Sequence, residues 1–135
     1  MRLYTKDENK SVDVGTSSIW YSLYSTTMVC LSDSIKERVP LALEFLKTGN
    51  CFADDIEEMT KQLEVIYNQL TLISPKKAIL DLKNPDVPPP WRNHISADVT
   101  SCADLYTTAD GEDLFSEVFE LLKYAEETKA SVFAG

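Results

Sequence analysis

Ala78-Ile79-Leu80-Asp81-Leu82, followed by Pro85-Asp86-Val87-Pro88-Pro89-Pro90-Trp91, opens the stretch that decides the fold. A short apolar run bounded by turn residues predicts a strand over 77–82. The prolines after it fix φ and predict a stiff, ordered loop. A second strand is expected at Asp104-Leu105-Tyr106-Thr107-Thr108, and it leads into Ala109-Asp110-Gly111-Glu112-Asp113-Leu114-Phe115. Here Asp110 is the expected N-cap of the best-marked helix, with Asp113 three residues on in the manner of a capping box. Leu114, Phe115, Val118, Leu121, Leu122 and Ala125 then recur at helical spacing and form its core stripe. The order is strand, loop, strand, helix, and the rest of the chain must pack against it.

Towards the N-terminus, Asp54 to Ile73 predicts the longest helix. Its residues Ile56, Met59, Leu63, Ile66, Tyr67, Leu70 and Ile73 step by three and four, and Ser74-Pro75 ends it. Pro40 sits where proline is tolerated, either early in a short helix capped by Asp33 or Ser34 or at the start of a separate one, with Leu41, Leu43, Phe45 and Leu46 on the buried side and Gly49-Asn50 as its stop. From Ile19 to Ser32, Trp20, Leu23, Tyr24, Met28 and Leu31 fall at helical spacing, although the many Ser, Thr and Tyr residues also suit a strand. Val12-Asp13-Val14 alternates as a further short strand. The expected architecture is α+β, one domain over residues 1–135. A small sheet of about four strands, near 2–5, 77–82, 104–108 and 131–134, packs with about four helices.

A chain of 135 residues, 44% hydrophobic and 26% charged, is long enough to bury a real core. Its formal net charge of -9 argues against nucleic acid as a direct partner, because phosphate binding needs clustered Lys and Arg. The same charge argues against an anionic membrane surface and favours basic partners. Cys30, Cys51 and Cys102 show no Cys-x-x-Cys or Cys/His ligand spacing, so neither a disulfide framework nor a zinc site is expected, and a cytoplasmic protein with reduced thiols is. The N-terminus lacks the apolar core of a signal peptide. The most apolar window, Ile19 to Leu31, is too short and too polar to cross a bilayer.

No catalytic signature stands out. His94 is the sole histidine and lies in a polar loop, where a solvated side chain is the ordinary reading. Asp98, Asp104, Asp110, Glu112 and Asp113 crowd one region without the spacing of a metal-binding loop, and helix capping explains Asp110 and Asp113 more simply. No cofactor or metal site is expected. Three readings stay open: a binding protein, a small hydrolase using the carboxylates of Asp98–Asp113, and an adaptor docking through Trp91. For Trp91 itself, packing of the indole is favoured over recognition.

Several blocks, in order, resemble the Immunity protein 70 family, small bacterial antidotes encoded with polymorphic toxins. Pro89-Pro90-Trp91, Asn93, Ile95-Ser96 and Asp98-Val99-Thr100 are similar to the family's Pro-Pro-Trp segment. Thr107 to Phe115 resembles its Thr-Ser-Asp-Gly-x-Asp-Leu-Phe helix start, and Ile19 to Thr26 its early Leu-His-Ser-Phe-Phe-Ser-Thr stretch. The helix near Asp54–Leu72 followed by Ser74-Pro75-Lys76-Lys77 fits as well. Two positions depart: Trp91-Arg92-Asn93-His94 stands where Trp-Gly-Asp is expected, and Tyr21 stands at the early His. The resemblance implies a protein without enzymatic activity that binds its cognate toxin, in some systems a basic nuclease, and blocks it.

A toxin-facing surface is expected on the long helix. Asp54, Asp55, Glu57 and Glu58 lie within two turns, and Val65 and Leu72 follow on the same outward side as Glu58. Charge around an apolar centre is the layout of a tight interface. The competing reading is that the carboxylates only complement the helix dipole while Val65 and Leu72 pack against a neighbour.

Overall fold

The computed structural model describes residues 1–135. Its sheet has three antiparallel strands, β1 (Arg2–Thr5), β2 (Ser11–Asp13) and β3 (Val132–Ala134), in the order β2-β1-β3. Strand alternation sorts the side chains. Leu3, Thr5, Val12 and Val132 are buried beneath the sheet, while Arg2 and Ser11 lie exposed on its other face and Tyr4 and Phe133 are half-buried there. In register, Leu3 faces Val12 and Ala134, and Tyr4 faces Ser11 and Phe133. The outer edge of β3 is closed: Val132 exchanges backbone hydrogen bonds with Cys51, both at 2.9 Å, and the Ala134 N–H donates to Asn50 Oδ1 at 3.0 Å. These contacts occupy main-chain groups that would otherwise invite another strand.

Five α-helices complete the α+β architecture: α1 (Ser17–Cys30), α2 (Asp33–Glu37), α3 (Pro40–Thr48), α4 (Ile56–Leu70) and α5 (Leu114–Thr128). Helix α3 lies against both α1 and α4, and α4 against α5. One core of 27 buried residues runs from Leu3 to Val132. Where α1 meets α3, Trp20 and Phe45 pack edge-on, ring centroids 5.5 Å apart. The stripe on α4 buries Ile56, Met59, Leu63, Ile66 and Leu70, and that on α5 buries Leu114, Phe115, Val118, Leu121, Leu122 and Ala125. The expected helix Asp54–Ile73 is therefore shorter, preceded by a 3-10 turn at Ala53–Asp55.

Helix ends are satisfied in ways the sequence only half announces. Pro40 occupies the first turn of α3, and Val39 before it has no side-chain oxygen to offer. Gln62 of α4 substitutes: its Oε1 accepts from the Leu41 and Ala42 N–H groups at 2.8 and 3.2 Å, satisfying two orphan donors from a neighbouring helix. Ser32, not Asp33 or Ser34, caps α2. Asp113, not Asp110, caps α5, accepting from Ser116 N at 3.0 Å. Asp110 instead sits in a turn closed by Gly111 N–H donating to Thr108 O at 3.0 Å, with Gly111 at φ +83°. Accordingly, Asp113→Ala should lower stability by about 1 kcal/mol and Asp110→Ala by no more than about 0.5 kcal/mol in urea denaturation.

Two expected strands are absent. Residues 104–108 form turns, joined to α5 by a single bridge between Thr107 and Asp113. Residues 78–82 are irregular because their main-chain partners are side chains of α1. Ile79 N–H donates to Thr26 Oγ1 at 2.8 Å, Ser22 Oγ donates to Ile79 O at 2.6 Å, and Leu82 N–H donates to Ser25 Oγ at 3.0 Å. Tyr106 Oη joins them, 3.0 Å from Ser22 Oγ and 2.9 Å from Thr26 Oγ1. Ser22, Ser25 and Thr26, among the residues that make α1 look strand-like, are thus buried on the helix face that binds this segment, while the buried Thr27 hydroxyl donates to Leu23 O.

Candidate partner-binding surfaces

The residues that could carry chemistry are held apart. His94 is exposed in the turn after Trp91, its backbone N–H bonded to Trp91 O at 2.8 Å. The thiols are placed against nucleophilic use: burial pushes Cys51 up to about 11 and Cys102 up to about 12, and raises Cys30 as well. A nucleophilic cysteine needs the opposite shift. The Cys102 thiol donates to Ser74 O at 3.3 Å.

Of the carboxylates in residues 98–113, Asp104 and Asp113 are engaged with backbone. Asp104 accepts from Thr100 N at 3.1 Å and Ser101 N at 2.9 Å, and from the Thr100 hydroxyl at 2.9 Å. Partial burial works to raise its carboxyl, but these hydrogen bonds outweigh it and hold the group below the usual range. Asp113 is the cap described above, while Asp98 and Asp110 are exposed. No group of three or more His, Cys, Asp or Glu side chains is arranged to hold a metal ion.

Trp91 lines a cleft of about 270 Å³ with Ile19, Val99, Leu105 and Tyr106. Its Nε1 is shielded from solvent and makes no hydrogen bond. The ring is half-buried at this cleft, which it lines together with Ile19 of α1 and Tyr106.

On α4, the four expected carboxylates stand together in solvent. Asp54 and Asp55 belong to the 3-10 turn, and Glu57 and Glu58 to the first helical turn. Glu57 pairs with Lys61 at 3.7 Å, an exposed contact of little energetic weight. Farther along, Val65 is half-buried against the core, whereas Leu72, just past the helix end, is 77% exposed. Glu58 and Leu72 are separated by about 20 Å of helix rise.

A second surface was not expected from the sequence. On the open face of the sheet, Tyr4 and Phe133 lie across β1 and β3 with ring centroids 6.4 Å apart. Phe52, beside β3, meets Phe133 edge-on at 6.3 Å and is 69% exposed. The one signal available was alternation in Leu3-Tyr4-Thr5 and Val132-Phe133-Ala134, which puts Tyr4 and Phe133 opposite the buried set. Nothing local placed Phe52 beside them.

The Immunity protein 70 family profile matches residues 3–133, nearly the whole chain. The chain belongs to the Immunity protein 70 family. No curated protein and no solved structure is significantly similar to it. Membership in an immunity-protein family points to a toxin-neutralising role and to a toxin protein as partner. No helix of this family member is long and apolar enough to cross a membrane.

Proposed function

We propose that this Immunity protein 70 member acts in the bacterial cytoplasm as one domain, residues 1–135, that neutralises a cognate polymorphic toxin by stoichiometric binding rather than catalysis. The family match over residues 3–133 carries the reading. The net charge of -9 supports a basic target such as a nuclease domain, and disfavours nucleic acid as a direct ligand. Asp54, Asp55, Glu57 and Glu58 offer a cluster of exposed charge at the start of α4 to steer such a target, with Val65 on that helix and Leu72 just past its end.

Co-expression with the toxin domain encoded immediately upstream tests the reading: cells should survive and a 1:1 complex should co-purify. Equal killing with and without the immunity protein, and no complex, would sink it. For the α4 face, Glu57→Lys with Glu58→Lys should slow association by about tenfold at low salt, while the fold is kept with a stability loss of about 1 kcal/mol from the helix N-terminus and the lost Lys61 pair. Leu72→Asp is the cleaner apolar variant, because the half-buried Val65 also contributes to folding. Unchanged association rate and affinity in both variants would remove this face from the interface.

A further inference from the structure

We infer that the aromatic row on the open sheet face is the anchor point for the toxin, and that it receives an arginine or lysine side chain projecting from a basic surface. The inference rests on the neutralising role proposed above and names the contact that fulfils it. Phe52, Phe133 and Tyr4 converge from three distant parts of the chain into one run of ring-to-ring contacts at 6.3 and 6.4 Å. Core packing does not require this exposure: Phe52 is 69% exposed, whereas the sheet's inner face is fully supplied by Leu3, Val12 and Val132. An exposed Phe52 continued by the half-buried rings of Phe133 and Tyr4 is what an interface anchor looks like before the partner arrives.

The chemistry of the partner follows from what borders the Phe52–Phe133 end of the row, since at the Tyr4 end Arg2 is already engaged with Asp13 and Ser11. Between Phe52, Phe133 and Leu41 runs a groove of about 270 Å³ whose charged lining consists of Glu44 and Asp55, with no lysine or arginine. Asp54 follows Phe52 two residues on, exposed in the same 3-10 turn. An apolar floor with acidic walls suits a side chain that has an aliphatic stem and a cationic head. The stem lies along the rings, the head meets the carboxylates, and a ring face adds cation–π attraction. Arginine fits best, because its guanidinium stacks on aromatic rings and bonds a carboxylate at two points.

A second copy of this chain fits less well. An isologous contact through the patch would bring Glu44, Asp54 and Asp55 of two acidic molecules together, and like charges across an interface are repelled. Strand addition is also disfavoured, since Cys51 and Asn50 already occupy the edge of β3.

The test measures binding of an inactivated form of the upstream toxin domain to the full chain by calorimetry, with size-exclusion light scattering of the free protein. Phe52→Ser should weaken the complex at least about 30-fold. Glu44→Lys with Asp55→Lys should do so by a similar factor and flatten the salt dependence. Phe52→Ser should keep wild-type circular dichroism and melting temperature because Phe52 is exposed, whereas the charge reversal should keep wild-type circular dichroism with a slightly lower melting temperature, since Asp55 stands at the N-terminus of α4. If wild type does not bind the toxin domain, the neutralising reading fails and takes this inference with it. If wild type binds and both variants bind equally well, this inference alone fails. A wild-type dimer that Phe52→Ser converts to monomer without loss of toxin affinity would assign the patch to self-association and overturn the inference.

Discussion

Gly49→Ala is expected to destabilise the protein by about 3 kcal/mol, a large part of the stability of a domain this size. Two costs combine at this residue. Gly49 ends α3 at φ +78°, ψ 5°, its N–H donating to Phe45 O at 2.7 Å. An L-residue held in that region loses about 1–2 kcal/mol. The new methyl would also lie 2.6 Å from Ala134 Cβ, 2.9 Å from Met1 Cε and 3.0 Å from Leu3 Cδ2. Met1 and Leu3 meet it with flexible side-chain ends, but Ala134 Cβ is fixed to β3. That strand must shift outward, straining its bonds to Cys51 and Asn50, and such overpacking costs about 1–3 kcal/mol. Urea denaturation of Gly49→Ala, Ala134→Gly and the double variant separates the two. Ala134→Gly should recover the overpacking part and leave the backbone part. A Gly49→Ala protein within about 0.5 kcal/mol of wild type would mean that α3 and β3 are not locked together here. Because Phe52 and Phe133 flank this joint, a shifted β3 should also loosen the aromatic row.

How far this joint could be read beforehand differs by residue. Gly49 as a helix stop was legible, since glycine at a helix end has a local cause. That its missing side chain faces Ala134 was not, because the contact joins distant parts of the chain. The same division runs through the fold. Helices α3, α4 and α5 were legible because each has to bury one stripe, and a stripe is written in the spacing of Leu, Ile and Phe. Residues 78–82 misled because a short apolar run announces burial without saying what will satisfy its backbone. A strand would use a neighbouring strand; here Ser22, Ser25 and Thr26 of α1 do that work. Residues 104–108 misled similarly, since Tyr106 is buried to reach those hydroxyls rather than to pair in a sheet. Asp110 was the expected cap, with Asp113 three residues on, but the turn at Gly111 sets the first helical residue at Leu114 and makes Asp113 the cap. For the candidate site, acidity was visible in composition and the α4 carboxylates in their spacing. The aromatic row was not, because its members are adjacent only after β1, β3 and the Cys51 bridge have formed.

Tyr106→Phe is the second large effect, and its signature is the pH dependence. One proton assignment satisfies the whole buried node. Ile79 N–H donates to Thr26, Thr26 O–H to Tyr106, Tyr106 O–H to Ser22, and Ser22 O–H to Ile79 O, over distances of 2.8, 2.9, 3.0 and 2.6 Å. Deleting the phenolic oxygen leaves Ser22 Oγ without its donor and turns Thr26 towards its longer contact with Ile79 O at 3.3 Å. Near pH 7 this should cost about 1–2 kcal/mol, the penalty for a buried polar group that loses a partner. Tyr106 is 3% exposed, and burial pushes its hydroxyl from 10 up to about 12, against the smaller opposing effect of the Ser22 and Thr26 hydrogen bonds. The folded state therefore holds this proton more tightly than the unfolded chain. The stabilisation is fully present below pH 10, and it is lost as the pH rises from about 10 through about 12. Over that window wild type should lose about 2–3 kcal/mol that the phenylalanine variant cannot lose. Both proteins share the losses from Cys51 and Cys102, whose thiols are raised to about 11 and about 12, so these largely cancel in the comparison. Urea midpoints of the two proteins should differ most below pH 10 and converge or cross by pH 12. Parallel profiles through that range would show that Tyr106 ionises freely in the folded protein, and that the hydroxyl node does not hold residues 78–82 onto α1.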